Sequence, residues 1–149
     1  EFEDSDKLVD LMEPFTLETT GSSLYGTPQN DTFIYNFGQE LTIYDYQNLA
    51  SSAEDKILIR GTSFENVFFT RPSPGYGTHL FVNFRSTPGI NWIVIDNFFL
   101  ANPSFGLPQY PEVRWIEFED SDKFVDLMEP FTLETTGSSL HGTPQNDTF

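Results

Sequence analysis

From Thr32 onward the chain is a succession of short apolar runs, each five to seven residues long and rich in β-branched and aromatic side chains. Thr32–Phe37, Leu41–Tyr46, Lys56–Arg60, Val67–Arg71, His79–Phe84, Asn91–Asn97 and Val113–Phe118 therefore read as strands. Between them lies turn chemistry: Ser51-Ser52-Ala53-Glu54-Asp55, Pro72-Ser73-Pro74-Gly75-Tyr76-Gly77, Thr87-Pro88-Gly89 and the longer Asn102–Pro108. Leu80, Val82 and Phe84 alternate with Phe81 and Asn83, which places one face inward and leaves the other half wet. Ile57-Leu58-Ile59 is apolar on both sides. The mixture predicts an all-β fold, a short-stranded β-roll or β-sandwich-like module with a filled interior. The one helical candidate is Lys7–Glu13 with its twin Lys123–Glu129, stopped by Pro14 and Pro130. A strand following the Asp-Ser-Asp turn is the alternative there.

Residues 1–33 return as residues 117–149, with Leu8→Phe124 and Tyr25→His141 the two differences between copies. A period of this length exceeds the roughly 20–50 residues of a solenoid repeat, so each copy has room for its own core. The expected organisation is one complete unit over 1–116, made of the repeated segment 1–33 and a strand-rich body 34–116. Residues 117–149 then open the next unit. Adjacent copies of the same repeat are the first partners this implies.

The formal charge of −16 is concentrated in the repeat. Residues 1–33 and 117–149 each carry eight acids against one Lys, whereas the 83 residues between them carry seven acids and five bases. Such a surface repels phosphate backbones, because nucleic-acid binding depends on Lys and Arg displacing counterions. Nucleic acid and anionic membranes are poor candidate partners on that ground. No run approaches the roughly 20 apolar residues of a membrane span, so membrane insertion is not expected. No basic segment followed by an apolar stretch opens the chain, and any export signal is expected outside these residues. The chain has no Cys, which removes disulfides, thiolate metal sites and a Cys nucleophile together.

Clustered carboxylates suit a hard divalent cation with oxygen ligands, and one segment has a pattern for it. Gly26-Thr27-Pro28-Gln29-Asn30-Asp31-Thr32-Phe33-Ile34 resembles the calcium-binding nonapeptide of repeats-in-toxin proteins, G-G-x-G-x-D-x-U-x. Gly26 matches its first position, Asp31 its carboxylate and Phe33 its core residue, and Gly142, Asp147 and Phe149 repeat the match. Thr27 and Gln29 replace two of its glycines, and Ser22 stands at the carboxylate position one turn earlier. The strand series that follows, DTFIYNFGQELTIYDY, DKILIRGTSFENVFFTR, GTHLFVNF, INWIVIDNFF and VRWIEFEDSDK, is similar in order to the haemolysin-type calcium-binding-related region. The resemblance implies a secreted or cell-surface scaffold in a large bacterial adhesin, toxin or enzyme, with calcium gripped between successive turns. The candidate metal ligands it marks are Asn30, Asp31, Glu40 one nonapeptide later, and Asp147. Asp120-Ser121-Asp122 and its twin Asp4-Ser5-Asp6 have D-x-D spacing without the later Gly and Glu of an EF-hand, and read as exposed acidic turns.

Enzyme signatures are absent: the sequence contains no G-x-S-x-G, no H-E-x-x-H and no phosphate-cradling glycine loop. His79 and His141 are the two histidines, and His141 is Tyr25 in the first copy. The expected role is therefore a non-catalytic structural repeat module. The alternative is a carbohydrate-binding module that recognises surface glycans through exposed rings such as Trp92 and Trp115.

Overall fold

The computed structural model describes residues 15–45, 54–71, 79–99, 113–129 and 131–134. These form ten strands: β1 (Phe15–Leu17), β2 (Ser23–Tyr25), β3 (Asp31–Asn36), β4 (Glu40–Tyr44), β5 (Asp55–Arg60), β6 (Val67–Thr70), β7 (Leu80–Phe84), β8 (Trp92–Ile95), β9 (Val113–Phe118) and β10 (Ser121–Asp126). A 3-10 turn, Phe64–Asn66, precedes β6. All seven strands expected from the sequence are present, and the fold is all-β.

Two five-stranded sheets share the strands. The first runs β1-β3-β5-β9-β10 and the second β2-β4-β8-β7-β6. Up to β5 the chain visits the sheets alternately, and β1, β3, β5 and β9 are parallel neighbours, as are β2, β4 and β8. That is the winding of a β-roll, each rung contributing one strand to each sheet. The hairpins β6-β7 and β9-β10 close the end of the stack with antiparallel pairs. The helix-or-strand alternative at Lys123–Glu129 resolves as strand through Asp126, because Phe124 and Val125 pair across to Glu117 and Ile116 of β9. The first copy of that segment, Lys7–Glu13, lies outside the described residues.

Alternation builds the core. Phe33 and Tyr35 of β3, Leu41 and Ile43 of β4, Ile57 and Ile59 of β5 and Ile93 and Ile95 of β8 are fully buried between the sheets. Each such side chain contributes about 1.5–3 kcal/mol relative to exposure. Leu58, between two core residues, is only half-buried, so β5 has one wet face after all. Tyr35 lies among the rings, stacked on Phe84 at 5.3 Å between centroids, and its hydroxyl donates to the Gln39 carbonyl at 2.8 Å. Burial pushes that phenol up to about 12. The β3–β4 turn reverses through Gly38, whose φ of 108° is one that residues with a Cβ rarely adopt.

Candidate metal centre

Asp31 opens β3 and Asp55 opens β5, the neighbouring strand of the first sheet, while Asp45 directly follows β4 of the second. All three therefore meet at the end of the roll where the chain leaves the second sheet to rejoin the first. They are 1%, 3% and 0% exposed for Asp31, Asp45 and Asp55, and one carboxylate oxygen from each lies within 4.8 Å of the other two. Strand register explains the pairing of the first two. Thr32 stands beside Lys56, which sets Asp31 beside Asp55, and the Asp31 N–H donates to Asp55 Oδ1 at 2.7 Å.

The surrounding turn is built for these carboxylates. Asp31 accepts from the Thr27 N–H at 2.6 Å and from the Thr27 hydroxyl at 2.8 Å, one bond to each oxygen. Thr27, a departure from the glycine of the nonapeptide pattern, thus orients the carboxylate. Gly26 supplies the space: a Cβ there would come within 2.4 Å of Asp45 Oδ1 and 3.3 Å of the Phe33 ring. Its N–H donates to the Tyr44 carbonyl at 2.9 Å, holding the turn against the residue that precedes Asp45.

Electrostatically the centre is costly as three bare anions. Burial pushes the Asp55 carboxyl up to about 6, and the Asp31 charge adds to the rise, opposed by the proximity of the Asp45 carboxyl and by the bond from the Asp31 N–H. Burial raises Asp31 as well, opposed by the bonds from Thr27. Asp55 Oδ2 is buried and has no hydrogen-bond partner. Two species satisfy such an oxygen, a proton shared with the Asp45 carboxyl or a cation. The geometry fits a cation: ligand oxygens at 2.3–2.6 Å from calcium lie no more than about 5 Å apart, and these three meet that limit.

Of the residues expected to bind calcium, the fold brings Asp31 into this centre and places Asn30 and Glu40 elsewhere. Asn30 is exposed, and its side-chain oxygen accepts from the Glu54 N–H at 2.9 Å, stapling one rung to the next beside the cluster. Glu40 is exposed at the start of β4, in the other sheet. The nine residues from Asp31 to Glu40 are half a winding of this roll, not a whole one, so they carry the chain across rather than back. Asp147 lies outside the described residues. Sequence reasoning did not place Asp45 and Asp55 in this cluster. A signal existed, since each is an acid at the border of an apolar strand run, a position where a carboxylate is either a turn residue or buried with company. Asp120 and Asp122 are exposed in the β9–β10 hairpin, as expected of an acidic turn.

A second feature lies on the outer face of the first sheet, a cleft of about 520 Å³ lined by Thr32, Lys56, Trp115, Glu117 and Phe124, with Asn30, Asp31 and Glu54 at one end. Phe124 meets Trp115 edge-on at 5.5 Å, and the Arg114 guanidinium lies 4.5 Å from the centre of the Trp115 ring. Among the described residues no helix is long and apolar enough to cross a membrane. No family model matches the chain, and neither the curated proteins nor the solved structures yield a match.

Proposed function

We propose that the chain is a non-catalytic structural repeat module of a long secreted adhesin or surface protein, stiffened by calcium bound among Asp31, Asp45 and Asp55. The observation that carries this reading is the burial of three carboxylates from two sheets and two successive rungs, with a ligand-grade oxygen of Asp55 left unbonded. A divalent cation there neutralises the repulsion and cross-links the sheets, while the protein residues do the holding: Thr27 orients Asp31, and Gly26 makes room for Asp45. Carboxylate oxygens without His or Cys favour calcium or magnesium over softer metals. The enclosed site favours calcium, because magnesium keeps several of its waters. The 116-residue sequence period, the acidic surface and the resemblance to secreted calcium-binding repeats support the wider setting.

The test is thermal melting of the chain in chelator, in millimolar calcium and in millimolar magnesium. A ligand that binds only the native state stabilises it by about 2.7 kcal/mol at a hundredfold excess over Kd. A calcium-specific rise in melting temperature is expected. Identical melts in calcium and chelator would overturn the proposal.

The glycan-binding alternative has one observation in its favour, the aromatic and acidic cleft around Trp115 and Phe124. Against it, Arg114 and Phe124 already engage the Trp115 ring that a sugar would stack upon. Glycan arrays separate the readings, since binding lost in Trp115→Ala would support the alternative.

A further inference from the structure

The repeated tetrapeptide Phe-Thr-Leu-Glu occurs at residues 15–18 and again at 131–134, and the two copies use opposite edges of the same short strand. In the first copy, Phe15–Leu17 pairs in parallel with β3, and the Phe15 N–H donates to the Asn30 carbonyl at 3.0 Å. In the second copy, Leu133 bridges Phe69 of β6 in parallel, and the Glu134 N–H donates to the Phe69 carbonyl at 2.8 Å. Backbone groups of successive residues in a strand point to alternate edges, so positions three apart face opposite ways. Phe15 corresponds to Phe131 and so sits three positions before the equivalent of Glu134. The edge that holds β3 in one copy is therefore the edge left open when the other copy binds β6.

We infer that this tetrapeptide is a strand shared by consecutive copies, its one edge completing the second sheet of one module and its other edge opening the first sheet of the next. Side chains agree with the backbone. Leu133 is buried in the core of the preceding module, and the Phe131 ring meets Phe69 edge-on at 5.3 Å and Phe98 at 6.3 Å. Arg85, just after β7, clamps Glu134 with both terminal guanidinium nitrogens, Nη1 at 2.9 Å. Because β6 is the last strand of the second sheet and β1 the first of the first sheet, the joined sheet runs β2-β4-β8-β7-β6-β1-β3-β5-β9-β10 across the boundary. The sheets thus exchange places from one copy to the next, which is a half-turn about the stacking axis, and the apolar interior is continuous. The occupant of the β6 edge is the next repeat of the same chain.

This inference rests on the repeat-module reading but not on calcium, and its test is read in chelator as well as in calcium. Residue-resolved amide hydrogen exchange would be measured by NMR on the 149-residue chain and on the same chain extended by a second copy of residues 34–116. The Glu134 amide should be protected in both. The Phe131 amide should exchange at least tenfold more slowly once the period is complete. If completing the period releases the Glu134 amide, the strand is transferred rather than shared and the inference fails. If Glu134 stays protected while Phe131 is unchanged, the next copy does not build on this strand and the inference fails equally. A calcium response missing from both chains would overturn the cation reading and leave these outcomes intact.

Discussion

The backbone N–H of Asp31 donates to Oδ1 of Asp55 at 2.7 Å, so the first residue of one rung is bonded to the side chain that opens the next. A strand-opening Asp in a parallel sheet can satisfy its neighbour's N–H where the ladder has not yet begun. Here the same carboxylate has its second oxygen, Oδ2, buried without a partner. One side chain thus serves the ladder with one oxygen and the centre with the other, and the predictions about cation and pH follow from that division.

Neutralising Asp55 separates the two duties. In Asp55→Asn the amide oxygen can still accept from Asp31, while a buried charge is gone. Removing a charge that burial disfavours stabilises the cation-free fold at neutral pH, and each kcal/mol gained is, for a domain of this size, a rise of about 2–8 °C in melting temperature. The expected outcome is a higher melting temperature in chelator and no further rise in calcium. Asp147→Ala, in the second copy, should leave the calcium response of this chain in place. Calorimetry on the three proteins checks this, and a calcium response that survives Asp55→Asn would remove Asp55 from the ligand set.

Without cation, stability should fall as pH rises from about 4 through about 6, opposite to ordinary acid denaturation. The Asp55 carboxyl stands at about 6 in the folded chain against 3.8 as its ordinary value. Between those values the folded chain holds a proton that the unfolded chain has released. Its stabilising contribution is therefore fully present below the lower value and is lost as pH rises through the upper. The raised Asp31 carboxyl acts in the same direction. Glu134, held below its ordinary value of 4.5 by Arg85, loses its contribution only as pH falls below that value, outside the interval from pH 5 to pH 7.5. Melting in chelator should thus occur at higher temperature at pH 5 than at pH 7.5. Calcium must displace the proton, so its affinity should rise over the same interval. A chelated chain that melts earlier at pH 5 than at pH 7.5 would count against a proton held at the centre.

Gly26→Ala tests the cradle without touching a ligand. The added methyl would approach Asp45 Oδ1 to 2.4 Å and the Phe33 ring to 3.3 Å. Forcing a group into a packed site costs about 1–3 kcal/mol, and displacing Asp45 should weaken calcium binding as well. Gly21→Ala, whose Cβ would meet only the Thr19 hydroxyl at 3.3 Å, is the control and should change melting far less. Equal effects of the two substitutions would show that the space beside Asp45 is not what Gly26 provides.

The strands of the body were legible because they alternate. Ile57 and Ile59, or Leu80, Val82 and Phe84, bury every second residue, and turn residues mark the ends of each run. β1 and β2 were not legible, being three residues each and half-buried, with too little pattern to rise above their polar surroundings. Their pairing comes from the neighbours β3 and β4, which offer a ready edge. The centre was legible in part. Asp31 and the Gly26 turn carry a local motif, whereas Asp45 and Asp55 reach them through rung spacing, and spacing depends on the lengths of excursions that no local pattern sets. Thr42 beside Ser23 and Lys56 beside Thr32 show windings of unequal length, which is why a fixed nine-residue step pointed to Glu40.

Length per copy follows from the shared strand. Among the described residues each sheet has five strands, and neighbouring strands lie about 4.7–4.9 Å apart, so one period should lengthen the stack by about 24 Å. A continuous sheet across the boundary leaves no flexible linker in which successive modules could reorient. Small-angle scattering on chains of two, three and four periods should therefore give a maximum dimension that grows linearly by about that increment, with a cross-section that stays constant. Modules tethered by flexible chain would instead extend as the square root of linker length and broaden the distance distribution. An increment well above 24 Å, or a cross-section that swells with copy number, would mean that β6 and the next β1 are not neighbours in one sheet.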